Sequence, residues 1–342
     1  MSYSQNQGSL VVGKPASGLA ESEGLFTYDD VDTRMLYKEF QQGVQIYNEV
    51  EWGLMNQFIR KTQKESVRVW QRNMEFVGAS EGYMESWQKT RAMEIAIPLN
   101  DYELGFAFTK KAIQDNTAQE LRETQSEALA ADQRLLAKRF FYRCMTPGGS
   151  TTSRGFWDSN MGTTTYARAP PPWKKNTFTS SHNHYDATGT TDIALSDFSA
   201  IKREIREHGY AGPLFMWMNS QEIEACENLA GWTAAMTPNS IIEEVATKGF
   251  EAVKQFQGFT ILSDDWTPAG YLFAIEGRVK PVTMREPLAS GARGLKLYEG
   301  PYSAYPLAES YYSHRFDMEV VHRGAGAVRY LGTTWAAPSW TF

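Results

Sequence analysis

The stretch TAQELRETQSEALAADQRLLAKRFFYRCMTPGG, Thr117–Gly149, reads as one long helix with its start and stop written into it. Thr117 and Glu120 stand at capping-box spacing, so hydroxyl and carboxylate can each take an orphan backbone donor. Ala, Leu, Glu, Gln and Arg, all strong helix formers, dominate as far as Cys144. Pro147, Gly148 and Gly149 then end it. Ala118 to Cys144 at about 1.5 Å per residue makes a rod of roughly 40 Å. Glu120, Glu123, Glu127 and Asp132 come before Arg134, Lys138, Arg139 and Arg143, an order that complements the helix dipole. Leu121, Ala128, Leu135 and Tyr142 form one apolar line, with Leu129, Leu136 and Phe140 beside it. An ordinary surface helix would look similar, so the meaning of the rod depends on its neighbours.

Before the rod, residues 1 to about 33 are rich in Gly, Ser and Gln and read as an extended or disordered arm. From Leu36, apolar residues at Phe40, Val44, Tyr47, Leu54 and Phe58 keep helical spacing. Val67–Trp70 and the alternating Met93, Ile95, Ile97 and Leu99 then predict two strands of a long hairpin, with Gly78 and Gly82 between them. Both arms are heavily charged and offer little apolar surface. Such a ribbon is poorly stable alone and needs a partner surface.

After the rod, a passage of about 45 residues rich in Gly, Pro, Ser and Thr leads to a compact α/β region. There DIALSDFSAIKREIREHGYAG predicts a helix carrying Phe198, Ile201 and Ile205. PLFMWMN predicts a buried strand, and SQEIEACENL a helix capped by Ser220. GFTILSD, GYLFAIE and VKPVTMREP predict further strands. The segment YYSHRFDMEVVHRGAGAVRYLG predicts two strands turning around Arg323–Gly326.

The 342 residues are 42% hydrophobic and 22% charged, enough for a sizeable core and two compact units. A net charge of −6 without a run of like charges argues against a dedicated basic nucleic-acid face. No apolar run approaches the roughly 20 residues that span a bilayer, and the N-terminus lacks a signal-peptide pattern. Two cysteines give neither a disulfide framework nor metal spacing. Ten Trp within 13% aromatics predict large buried contacts, inside the fold or between chains.

Motifs for bond chemistry are weak. His182, His184 and Asp186 invite a metal, but the segment is loop-like, the other histidines are scattered, and no third ligand has diagnostic spacing. These three are therefore expected to be solvated loop residues. HRGAGAVR carries Arg329 where a dinucleotide fingerprint needs its third glycine, and predicts a tight turn. Asp264 and Asp265 predict a turn, and Cys226 a small core residue. No catalytic, cofactor-binding or metal-ligating residue is assigned, and no cofactor is expected.

The order of the elements is more specific than any motif. The set AMEIAIPLNDYELGFAFTKKAIQDN, the rod, FFYRCMTPGGSTTSRGFWDSN with Gly155-Phe156, GYAGPLFMWMNSQEIEACENL, GFTILSDDWTPAGYLFAIEG and YYSHRFDMEVVHRGAGAVRYLG resembles, over about residues 50 to 335, the major capsid proteins of tailed bacteriophages. That family has the HK97-like fold, here an α+β class.

The resemblance implies an N-terminal arm over 1–50 and an extended E-loop over 51–100. It implies a peripheral domain with the spine helix over 101–192, and an axial domain over 193–280. Return strands of the peripheral domain would occupy 281–325, and a C-terminal axial strand and tail 326–342. The rod becomes the spine of a shell subunit, and the charged hairpin lies over a neighbouring copy. Arg68, Arg72, Glu75, Glu81, Glu85, Lys89 and Arg91 of the E-loop are then the expected inter-subunit contacts. Glu123, Glu127, Arg134, Lys138 and Arg139 are their counterparts on the spine.

The implied function is a virion structural protein, without catalytic residues, that assembles as hexamers and pentamers into an icosahedral shell around double-stranded DNA. Implied partners are copies of itself, a portal and possible decoration or cement proteins. Packaged DNA would be touched non-specifically, and no membrane is involved. The short arm from Met1 points to a separate scaffolding protein, and assembly would take place in the host bacterial cytoplasm. Lys61, Lys64 and Lys89 do not align with a crosslinking lysine, so no covalent crosslink is expected. The alternatives are an encapsulin-type compartment shell, which shares the fold, and a metal-dependent hydrolase using His182, His184 and Asp186.

Overall fold

In a computed structural model of the chain, the described residues are 25–49, 55–71, 91–148, 155–158, 169–232, 251–264, 266–299, 307 and 309–340. Their helices are α1 (Thr33–Glu49), α2 (Met55–Phe58), α3 (Lys110–Asp115), α4 (Ala118–Met145), α5 (Leu195–Arg206) and α6 (Ser220–Cys226). The strands are β1 (Ile59–Thr62), β2 (Ser66–Gln71), β3 (Arg91–Ala96), β4 (Asn100–Gly105), β5 (Tyr185–Ala187), β6 (Leu214–Met218), β7 (Glu251–Phe256), β8 (Phe259–Ser263), β9 (Tyr271–Glu276), β10 (Val282–Arg285), β11 (Leu295–Tyr298), β12 (Tyr311–Val320) and β13 (Gly326–Tyr330). Two compact units result. One gathers Met1–Val50, Asp101–Asp132 and Gly294–His314; the other gathers Glu51–Asn100, Gln133–Arg293 and Arg315–Phe342.

The expected rod is α4, 28 residues and about 42 Å long at 1.5 Å per residue. Its capping box forms. Glu120 Oε2 accepts the Thr117 N–H at 2.7 Å, and Thr117 Oγ1 accepts the Glu120 N–H at 3.3 Å. Asp29 adds a second anion at this end, accepting the Ala118 N–H at 2.9 Å. Its carboxyl is held below the usual range, chiefly by a hydrogen bond from the Thr27 hydroxyl.

The predicted apolar line needs correction. Leu121 and Ala128 are buried, but Leu135 and Tyr142 are only half-buried; Asp132, Leu136, Phe140 and Cys144 take over the seam. Steps of seven drift about 20° per heptad on a straight helix, so the buried stripe moves to positions four apart. Towards its end Phe140, Phe141, Arg143, Cys144 and Met145 are all buried, and α4 is enclosed on most sides.

Two charges read as parts of a dipole gradient are also buried, with specific partners. Asp132 accepts from His314 Nδ1 and from the Tyr47 hydroxyl, each at 2.8 Å, within the first unit. Burial, followed by the Asp132 charge, pushes the Tyr47 hydroxyl well above its ordinary pKa. Arg143 belongs to the second unit and is taken up below.

In the first unit α1 lays Leu36, Tyr37, Phe40 and Val44 into one cluster with Ala118, Leu121, Leu295, Leu297 and Tyr312. Their spacing, three or four residues apart, gives α1 a single apolar face. Asn48 then acts as a strand mimic: its side chain accepts the Leu295 N–H at 2.9 Å and donates to the Leu295 carbonyl at 2.8 Å. Residues 25–32, expected as part of the arm, form a turn instead. Leu25 and Thr27 are buried, and the Leu25 carbonyl accepts the Thr33 N–H at 3.0 Å.

The second unit is built on a six-stranded mixed sheet in the order β5-β13-β9-β6-β8-β7. Strand β6 is parallel to β8 and antiparallel to β9, and β13 is antiparallel to β9 and parallel to β5. All five residues of β6 are buried because the sheet is covered on both faces. Leu214, Met216 and Met218 pack with Phe198, Ile201 and Ile205 of α5 and with Cys226 of α6. Phe215 and Trp217 point the other way into an aromatic cluster. The Trp217 ring stacks on Phe273 at 5.1 Å and meets Phe58 edge-on at 5.1 Å, with Phe140 and Phe141 at 6.2 and 6.1 Å.

Helix α6 is capped by Asn219, whose side chain accepts the Gln221 N–H at 3.2 Å; Ser220, the expected cap, is the first helical residue. The turns expected at Asp264 and around Arg323–Gly326 are present, closed by Asp264 Oδ1 on the Trp266 N–H and by the His322 carbonyl on the Ala325 N–H; Asp265 lies outside the described residues. Cys226 is a core residue as expected. No helix among the described residues is long and apolar enough to cross a membrane.

Candidate functional site

The charged hairpin begins as a two-stranded ribbon in which, among the described residues, β2 pairs with β3 alone, Ser66 opposite Ala96 through Gln71 opposite Arg91. Arg68 faces Glu94 across the ribbon, 3.7 Å apart and well exposed, a pair worth about 0–1 kcal/mol. Arg91 ends the pairing in β3. Arg72, Glu75, Glu81, Glu85 and Lys89 lie outside the described residues.

The base of the ribbon is anchored by one side chain. Arg285 on β10 donates through Nη1 to the Ile97 carbonyl at 2.8 Å and through Nη2 to Glu65 at 3.1 Å. The Ile97 N–H in turn donates to the Glu65 carbonyl at 2.9 Å. Arg285→Ala is expected to raise amide exchange in 66–71 and 91–97 by about tenfold, from loss of a bond to a charged group worth roughly 1.5 kcal/mol. Global unfolding should move little. Equal exchange in mutant and wild type would show that the ribbon is held some other way. Beside this base lies an open cleft of about 430 Å³ lined by Arg60, Lys64 and Arg68, with Glu94 as its acid.

Along α4, Glu123, Glu127 and Arg134 are exposed, and Lys138 and Arg139 are half-buried. Glu123 accepts a hydrogen bond from Gln119 at 3.3 Å. Arg122, not singled out in the sequence, forks onto both oxygens of Glu39 at 2.8 and 3.1 Å. Deeper in the second unit, Asp317 on β12 accepts four hydrogen bonds. Two come from Arg143 Nη2, at 3.1 and 2.9 Å, one from Asn100 at 2.7 Å, and one from the Met318 N–H at 2.7 Å. Burial works against the Arg143 charge, but Glu319 and Asp317 outweigh it and raise the guanidinium pKa. Burial also pushes the Cys144 thiol well up, which makes it a poor nucleophile.

The structure departs from the sequence reading at the histidines. His184 is completely buried and His182 half-buried, rather than solvated. Asp186 takes no part in their grouping; it accepts a hydrogen bond from Asn183 at 3.0 Å. The third member is His208, just beyond the end of α5, a residue that sequence spacing could not connect to the other two.

No family model matches the sequence, and no curated protein matches it. Solved structures do share its fold. A chain from Mycobacterium phage Patience superposes with a TM-score of 0.66 at 19% identity, over 94% of this chain and 97% of that one. A capsid chain of a native GTA particle gives a TM-score of 0.53 at 16% identity, covering 83% and 92%. A chain of the bacteriophage PhiM1 mature capsid gives 0.51 at 9% identity, covering 81% and 86%. The fold is the α+β, HK97-like fold of phage capsids, as the order of elements implied.

Proposed function

We propose that the chain is the major capsid protein of a tailed bacteriophage, a subunit that works by packing against copies of itself rather than by bond chemistry. The observation that carries this reading is the near-complete coverage, in both directions, of the phage chain at TM-score 0.66. The ribbon supports it physically. A two-stranded ribbon with no further strand partner among the described residues needs another surface, and in a shell that surface is the neighbouring subunit. Exposed apolar side chains in the first unit fit the same role: Met35 and Ile46 lie three turns apart on one face of α1, and Tyr298 stacks on Tyr311.

In this reading 1–50 is the arm, 51–100 the E-loop, 101–192 and 281–325 the peripheral domain, and 193–280 with 326–342 the axial domain. Hexamers and pentamers close an icosahedral shell around double-stranded DNA in the virion, assembled in the host cytoplasm with a scaffolding protein and a portal. Charges of both signs on the E-loop and spine set the register between copies. Individual exposed pairs contribute little, so repetition over many interfaces supplies the strength.

The test is expression of the untagged chain, alone and with a scaffolding candidate, followed by negative-stain electron microscopy and sedimentation. Closed shells of uniform size are expected. Their contents separate a DNA-filled capsid from a compartment shell loaded with protein cargo. A chain that stays monomeric under both conditions would overturn the reading.

A further inference from the structure

Three imidazoles converge in the second unit with their Nε2 atoms almost touching. His182 to His184 is 3.0 Å, His182 to His208 is 2.9 Å, and His184 to His208 is 2.9 Å. Protons alone cannot satisfy this triangle. His184 Nδ1 lies 2.6 Å from the Gly326 carbonyl, which can only accept, so Nδ1 carries the hydrogen and a neutral His184 presents a bare lone pair at Nε2. If both remaining rings donate to it, their own N–H groups collide. If only one donates, two lone pairs face each other at hydrogen-bond distance. Further protonation only adds N–H groups to the same triangle, so it exchanges one clash for the other.

The geometry points to a divalent transition-metal site of the zinc class, held by the Nε2 atoms of His182, His184 and His208. Nitrogens 2.9–3.0 Å apart lie about 1.7 Å from their common centre. An ion at about 2.05 Å from each would therefore sit about 1.1 Å above their plane, as a tripod apex. Imidazole suits zinc, copper, nickel and cobalt, and excludes magnesium and calcium, which take oxygen ligands. Glu207 Oε1 lies 3.5 Å from His182 Nε2 but stands outside the group of three nitrogens, so it is a neighbour of the site and not a fourth ligand. Three protein ligands leave the fourth position to water.

The surroundings hold the rings as a metal site requires. The Gly326 carbonyl fixes the tautomer of His184 from the far side, the usual second-shell arrangement. The Phe178 ring stacks on His208 at 4.3 Å and lies 4.7 Å from His182. Gly324 leaves room for the His208 ring, where an added Cβ would come within 2.8 Å of it. The ion would tie the passage around His182–His184 to the end of α5. That role is independent of shell formation.

The experiment uses the untagged full-length chain. It is stripped with a chelator, returned to buffer, and titrated with cobalt(II) and zinc(II). One equivalent of cobalt(II) is expected to give the visible ligand-field band of a four-coordinate site, and one equivalent of zinc(II) to displace it. Zinc(II) should raise the melting temperature by several degrees. His184 is fully buried, so its variants are avoided; His182→Asn and His208→Asn should each weaken cobalt binding at least tenfold. A folded wild-type chain that takes up no cobalt at one equivalent would overturn the assignment. Full binding in both histidine variants would do the same.

Discussion

Asp317→Ala is expected to destabilise the chain by about 3 kcal/mol, the lower end for breaking a buried ion pair, because Glu319 still lies 3.8 Å from the Arg143 guanidinium. Arg143 is 4% exposed and Asp317 0% exposed, so water cannot replace what is lost. The substitution also strands the Asn100 amide and the Met318 N–H, which both donate to the same carboxylate. Chemical denaturation of the monomeric chain at low concentration is the measurement. A paired change, Arg143→Met with Asp317→Leu, should recover only part of the stability, because the buried Glu319 carboxylate, 3.8 Å from Arg143, loses that cation. A single variant within about 1 kcal/mol of wild type would show that the pair is not the lock its geometry implies.

The second large effect is expected at Trp217. Trp217→Ala should cost about 3–5 kcal/mol, since it empties the centre of an aromatic cluster drawn from α2, α4, β6 and β9. Trp217→Phe should cost much less, because it keeps a ring over Phe273. The indole N–H has no hydrogen-bond partner among the described residues, so little polar energy is lost with it. Near-ultraviolet circular dichroism with denaturation would check both variants. An alanine variant that unfolds at the wild-type midpoint would mean that the cluster collapses into the space without penalty.

Much of the fold was legible because its signals are local. The start of α4 could be read from Thr117 and Glu120, three residues apart, and its end from Pro147. The misreadings have equally specific causes. Leu135 and Tyr142 were placed on the seam by counting in sevens, and a straight helix does not follow that count. Ser220 was taken for the cap one residue late, because Asn219 closes a strand and opens a helix at once. Asp132 and Arg143 looked like surface charges because their partners, His314 and Asp317, are 182 and 174 residues away.

The histidines failed for the same reason. His182 and His184 gave a visible pair, but His208 follows an amphipathic helix 24 residues later and carries no spacing signature. Only the folding of α5 against β13 brings it back. The inter-subunit roles proposed for the hairpin and α4 charges would depend on a second copy of the chain, about which a single sequence carries no register.

Strand β13 lies inside the six-stranded sheet, between β5 and β9, although it is made after every other strand of that sheet. During synthesis at about 5–20 residues per second, the β9 edge therefore waits for residues 326–330 with its backbone donors and acceptors unpaired. The first unit also depends on residues as late as His314. A nascent chain stalled short of Gly326 would carry an open, apolar sheet edge, the kind of surface that chaperones bind and that draws chains into aggregates. The final strand thus decides whether a finished fold or a precipitate leaves the ribosome.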